Sequence, residues 1–199
     1  MRHTSFGENK NQILDRFFSY LRMKRVTPIL KSFNRPITVA DLGCGYEPRS
    51  LLNLMNKFPQ ITSASGIDLS ISQAEFHPKI RIVEGNLNEP LPYPDNSFDL
   101  VFSMAVLEHL DNHELALTEA FRILKKDGTL LLTTPSPLSR PILEFLAYKL
   151  KVIDEHEIRD HKNYFSKKDL EEKFKETGFR NIKAKTFQFG FNNLAQGTK

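Results

Sequence analysis

Two glycines flank the only cysteine of this 199-residue chain, in the stretch VADLGCGYEP from Val39 to Pro48. A Gly-x-Gly turn lets the backbone come close to a ligand, and a helix starting just after it aims free N–H groups into the same crevice. Asp68 closes a second apolar run about 25 residues further on, where a carboxylate can accept hydrogen bonds from both hydroxyls of a ribose. Taken alone, Asp68 would equally serve to cap the next helix. Cys44 has no second cysteine to pair with and reads as a small loop residue rather than a redox thiol. A phosphate-binding loop is excluded because no Gly-Lys-Ser/Thr follows the turn. A dinucleotide fingerprint would want a third glycine where Pro48 stands, and Glu47 would repel a pyrophosphate. The residues therefore favour a nucleoside without phosphates.

These residues need a scaffold, and the hydropathy pattern supplies one. Ile37 to Leu42, Ile61 to Ile67, Ile80 to Val83, Phe98 to Met104 and Thr129 to Thr134 read as strands. Pro48 to Phe58 and His113 to Leu124 read as helices, the second closed by Lys125-Lys126-Asp127-Gly128. Strands apolar on successive residues and alternating with helices indicate a parallel sheet covered on both faces, so the class is α/β. An amphipathic basic helix is expected over Asn11 to Leu30. Ser166 and Asp169 start a helix that Gly178 ends, and Phe179 to Phe189 with Phe191 to Gly197 form a closing antiparallel hairpin. NNLAQGT, near the end of that hairpin, is polar for a strand inside a sheet. The segment Ile142 to Leu150 is apolar on more than one face, which favours a buried helix over a lid above a lipidic or quinone-like acceptor.

The motifs Asp41-Leu42-Gly43-Cys44-Gly45, Gly66-Ile67-Asp68-Leu69-Ser70, Gly85-Asn86-Leu87, Leu91 to Asp99 and Val106-Leu107-Glu108-His109 occur in order from Val39 to Pro135, and Glu119 to Gly128 extends them. Together they resemble the class I S-adenosylmethionine-dependent methyltransferases, most closely those acting on small molecules, lipids and glycans. The resemblance implies a Rossmann-like, doubly wound, mostly parallel seven-stranded sheet with an antiparallel C-terminal hairpin, in one domain spanning residues 1–199. Within it, 1–35 would be the basic helix, 36–134 the cofactor-binding core, 135–165 an acceptor-side lid and 166–199 the closing helix and hairpin. It also implies S-adenosyl-L-methionine as cofactor. Asp41 and the Gly43-Cys44-Gly45 backbone would hold its methionine portion, and Asp68 its ribose. Leu69 would pack on the adenine, Asn86 would accept from the adenine amino group and the Leu87 N–H would meet a ring nitrogen. Ser103 and Met104 would line the cavity near the methyl, although Met104 would serve equally as core filler. Two positions depart from the family pattern: Glu47 stands where a third glycine is frequent, and Asn86 where aspartate is commoner. Asparagine still offers a carbonyl oxygen.

Methyl transfer from a sulfonium depends mainly on alignment of the acceptor atom, and a hydroxyl acceptor gains from a general base. His109, just past the fourth strand, is the first candidate. His161, Tyr164 and His156 follow it, against the alternative that each is a surface or loop-ordering residue. The histidines show no ligand-pair spacing, so no metal site is expected. The chain lacks the Asp/Asn-Pro-Pro-Tyr/Phe motif expected of a methyltransferase acting on an extruded base, which argues against nucleic acid as the acceptor.

Charge is unevenly distributed: residues through Arg35 carry eight basic and two acidic groups, whereas Pro36 through Leu150 carry nine and fourteen. A basic N-terminal arm can meet nucleic acid, an anionic membrane surface or a phosphorylated substrate, but more often is simply the solvated face of a helix. With no apolar run of about 20 residues, no membrane span is expected, and the chain is read as cytoplasmic, with peripheral membrane contact left open. The reading is thus a small-molecule methyltransferase whose acceptor is a glycan, a lipid or a quinone-like compound. Its rivals are a non-catalytic S-adenosylmethionine-binding module and a nicotinamide-dependent oxidoreductase.

Overall fold

A computed structural model describes residues 20–199 apart from Arg22, Val152 and Asp154, with the Glu157 side chain also outside the description. The part of the expected N-terminal helix over residues 11–19 lies outside the described residues. Within them, the chain turns at Lys24 to Val26 and then forms α1 (Thr27–Ser32). Next come β1 (Ile37–Leu42), α2 (Arg49–Lys57), β2 (Ile61–Asp68), β3 (Ile80–Glu84), β4 (Phe98–Met104), α3 (His113–Ile123) and β5 (Leu124–Pro135). The chain continues through α4 (Arg140–Glu144), α5 (Glu155–Arg159), α6 (Lys167–Thr177), β6 (Arg180–Phe187) and β7 (Asn192–Thr198).

The strands form one seven-stranded sheet in the order β3-β2-β1-β4-β5-β7-β6, parallel except for β7, which runs antiparallel to both neighbours. Alternate residues of the central strands feed opposite cores. Ala40, Val101, Leu130 and Leu132 face α3 and α6, while Val39, Leu100, Phe102 and Leu131 face α1 and α2. Burial on both faces is why these strands read as unbroken apolar runs. The strand order reverses between β1 and β4, and ligands of open α/β sheets settle at such a reversal, beyond the carboxyl ends of the strands.

Two expectations are corrected. Lys125 to Gly128 does not close a helix. Helix α3 ends at Ile123, and β5 begins at once, with Lys125 reaching back 2.8 Å to Asp99. Gly128 is needed there for space, since a Cβ would stand 2.8 Å from the Lys125 carbonyl oxygen. The segment Ile142 to Leu150 is not a buried helix: α4 passes into a π-type turn over Phe145–Lys149, and Ile142, Phe145, Tyr148 and Leu150 are exposed. The polar strand β7 is held inside the sheet by specific accommodations. The buried Asn193 amide donates to the Phe165 carbonyl at 2.6 Å, and Gly197 leaves room for Phe174 and Phe179.

Away from the ligand side, Arg122 locks the Leu91 to Asp95 loop onto α3. It pairs with Glu119 and Asp95 and donates to the carbonyls of Leu91 and Tyr93, while Glu119 accepts from the Leu91 N–H. This network accounts for the Glu119 to Arg122 motif without any catalytic role.

Candidate active site

At the carboxyl end of β1 the chain folds back on β2: the N–H groups of Gly43 and Cys44 donate to the Ile67 carbonyl at 2.8 and 3.1 Å. Gly43 and Gly45 hold φ of +88° and +80°, a region that favours glycine. At Gly43 the constraint is also spatial, because a Cβ would lie 2.3 Å from a Val106 methyl. Val106 is set by Ala105, itself at φ +59° and tied through its N–H to the Thr133 carbonyl. The loop and the end of β4 thus build one cradle. Asp68 accepts from the Gly45 N–H at 2.7 Å through one oxygen and from the Leu69 N–H at 2.8 Å through the other. A carboxylate offers about four lone-pair sites, so each oxygen can accept more than one hydrogen bond.

Asp41 is buried beneath the loop, and burial, then the charge of Asp68, push its carboxyl well above the usual carboxylate range. Two acids in one apolar-walled crevice favour a cation between them. Glu47 is turned outward onto Arg49 at 2.8 Å and does not reach the crevice, so the negative potential comes from Asp41 and Asp68. Cys44 is also buried, which pushes its thiol up and away from reactivity.

A cavity of about 460 Å³ runs from this cradle past Leu69, Asn86, Leu87 and Met104 to the segment after β5. Leu69 is exposed, as a residue that packs against a flat ring must be. The Asn86 carboxamide oxygen accepts from Asn88 within its own loop, and Asn88 accepts from the Asn112 N–H, fastening the loop to the start of α3. Ser103 is not on the cavity wall: its hydroxyl donates to the Leu42 carbonyl at 2.9 Å, joining β4 to β1.

The far end of the cavity is built from two stretches about 50 residues apart. A 3₁₀ turn, Leu107–His109, follows β4, and the Glu108 carbonyl accepts from the N–H groups of Lys162 and Asn163. This brings His109 and His161 edge to face, with ring centroids 4.8 Å apart. Nδ1 of His109 lies 3.3 Å from the Asp160 carbonyl oxygen and 3.4 Å from its carboxylate, so that nitrogen carries the hydrogen and Nε2 is the basic one. Nδ1 of His161 meets the Tyr164 hydroxyl at 3.1 Å. Tyr164 stands behind His161 and off the cavity wall, its hydroxyl pushed up to about 12, chiefly by burial and next by the charge of Glu144. It stays protonated at neutral pH and positions His161. His156 is exposed on α5 and does not join the cavity. Glu108, buried on the same wall, and Asp160 are functional candidates that residue spacing alone did not single out.

The chain matches the methyltransferase domain family over residues 14–184. It belongs to that family. It is 35% identical over 126 residues to an uncharacterized protein of Methanocaldococcus jannaschii, covering 62% of this chain and 52% of that one. It is 28% identical over 146 residues to the demethylmenaquinone methyltransferase of Lactiplantibacillus plantarum, covering 65% and 60% respectively. The chain therefore spans between half and two thirds of the length of these relatives. Among solved structures, an S-adenosylmethionine-dependent methyltransferase from Archaeoglobus fulgidus superposes with a TM-score of 0.71 at 17% identity, covering 96% of this chain and all of that one. This methyltransferase domain thus has the fold the motifs imply, and its cofactor is S-adenosyl-L-methionine. The residues of the cradle suit that molecule: a turn whose Gly43 has no room for a Cβ beside Val106, a carboxylate at Asp68 of the kind that binds a ribose, an exposed apolar Leu69 and a buried acid at Asp41.

Proposed function

We propose that the chain moves a methyl group from S-adenosyl-L-methionine to a hydroxyl of a small molecule, such as a glycan or lipid intermediate. One observation carries the reading: a single cavity joins the Asp41, Gly43 and Asp68 cradle to the His109–His161 end. Bound in the cradle, the cofactor supplies a methyl carbon on a sulfonium, and the carbon–sulfur bond breaks, its electron pair staying on sulfur, as the acceptor oxygen bonds that carbon. The acceptor lies toward the imidazole pair, which eases removal of the hydroxyl proton. Asp41 and Asp68 favour the positively charged donor over the neutral thioether left behind, so they favour exchange of product for fresh donor.

Leu143, Ile153 and Ile158 give the acceptor end apolar walls. Around it, Leu138, Phe145 and the hairpin-tip Phe189 stand 60, 54 and 95% exposed. Such a rim suits an acceptor with an apolar body, or peripheral contact with the membrane surface that would deliver it. A quinone-like ring is the second reading, supported by these walls together with the demethylmenaquinone methyltransferase relative.

Labelled-methyl transfer into fractionated small-molecule, lipid and RNA pools tests the proposal. Label is expected in the small-molecule or lipid pool. Label confined to RNA, or none anywhere despite measured cofactor affinity, overturns it.

A further inference from the structure

We infer that Glu108, His109 and His161 form a binding site for a borderline divalent transition-metal cation at the acceptor end of the cavity. The inference rests on the functional reading above and refines it: the imidazoles serve there as ligands, and the cation they hold, not an imidazole, eases loss of the hydroxyl proton.

One donor atom from each of the three side chains lies within 4.8 Å of the other two. Atoms bonded at about 2.0–2.2 Å to one ion stand about 3–3.5 Å apart. Binding an ion would therefore draw the three donor atoms together by about 1–2 Å. His109 and Glu108 are adjacent in one 3₁₀ turn, while His161 is brought in by backbone hydrogen bonds from Lys162 and Asn163 to Glu108. The backbone thus fixes the three positions relative to one another.

The surroundings of both rings point the same way. A metal-bound histidine characteristically gives its other ring nitrogen to a carboxylate, carbonyl or comparable oxygen, which fixes the tautomer. Asp160 does this for Nδ1 of His109, through its carbonyl and carboxylate oxygens, and the Tyr164 hydroxyl meets Nδ1 of His161. With Nδ1 engaged in this way, Nε2 is the ring nitrogen that would bond the ion in both cases. The set lines the cavity and does not close it off, which is the arrangement of three protein ligands with open positions for an exogenous oxygen.

Two imidazoles and one carboxylate select a borderline first-row cation such as zinc, cobalt or iron over calcium, which takes six to eight oxygen ligands. A cation here would orient an acceptor bearing one hydroxyl, or two neighbouring ones, and lower the pKa of the bound hydroxyl. The acceptor class that follows is one with an oxygen donor at its reacting end, not an isolated carbon or an amine.

The test titrates Co²⁺ into the chelator-treated full chain and follows its visible absorption, with S-adenosylhomocysteine affinity measured in parallel. One equivalent is expected to bind with the intensified bands of a four- or five-coordinate ion. His161→Ala should weaken binding more than tenfold, and Asp160→Asn about 10–100-fold. Glu108→Gln, which keeps the volume, should do the same as His161→Ala. S-adenosylhomocysteine affinity should stay within about twofold throughout. Bands no stronger than those of the hydrated ion, or binding indifferent to both His161→Ala and Glu108→Gln, overturns the site. Loss of S-adenosylhomocysteine binding in the unaltered chain would instead count against the functional reading.

Discussion

Asp41 shows how burial tunes the titration of a single residue. Its carboxyl titrates well above the usual carboxylate range because it is buried and faces Asp68, so part of the population is protonated as pH falls toward acid. A cationic ligand prefers the ionised form. Affinity for S-adenosylmethionine should therefore rise as pH rises through that elevated pKa and level off above it, with proton release on binding on the rising limb. Calorimetry from pH 5 to 8 in buffers of different ionisation enthalpy measures both effects. Asp41→Asn should flatten the profile, and a pH-independent affinity in the unaltered chain would contradict this role. At this scale the cofactor half was largely legible, because Gly43, Gly45 and Asp68 announce themselves by type and local spacing. The Asp41–Asp68 coupling and the left-handed Ala105 were not, since both depend on how strand ends meet.

Among the elements, the amino ends of β1, β4 and β5 are joined by Asp99, which is 1% exposed. It accepts from the Thr38 N–H and hydroxyl and pairs with Lys125 and Arg35. Burial alone would raise its pKa, but Lys125, Thr38 and Arg35 together outweigh that and hold it at about 2. Against an unfolded value of about 3.9, the shift is worth about 2.5 kcal/mol. Because the folded value is the depressed one, this stability is present above about pH 4 and is lost as pH falls toward 2. Asp99→Asn should cost about 2–3 kcal/mol at pH 7 in urea unfolding and remove the corresponding slope on the acid limb. An unchanged acid limb would show that the pairing contributes nothing. The central strands were easy to read because both faces are buried. Lys125 to Gly128 was misread because cations followed by glycine suit a helix end as well as a strand start that must reach Asp99. Ile142 to Leu150 was misread for another reason: apolar content says nothing about whether a partner covers it.

Across the whole molecule, the reversal between β1 and β4 brings two chemically different ends into one cavity. One end is acidic and glycine-built, and the other is lined by imidazoles under short helices. The acceptor end could not be read from the chain, because His109 and His161 meet only through backbone bonds between segments about 50 residues apart. No helix among the described residues is long and apolar enough to cross a membrane, and Leu138, Phe145 and Phe189 are exposed. The central claim is that the acidic end grips adenosine through Asp68, and calorimetric titration with S-adenosylhomocysteine tests it most directly. The account predicts one equivalent bound, a loss of more than a hundredfold in Asp68→Ala, and no heat with NAD; saturable binding of NAD alone, or equal S-adenosylhomocysteine affinity in Asp68→Ala, would contradict it.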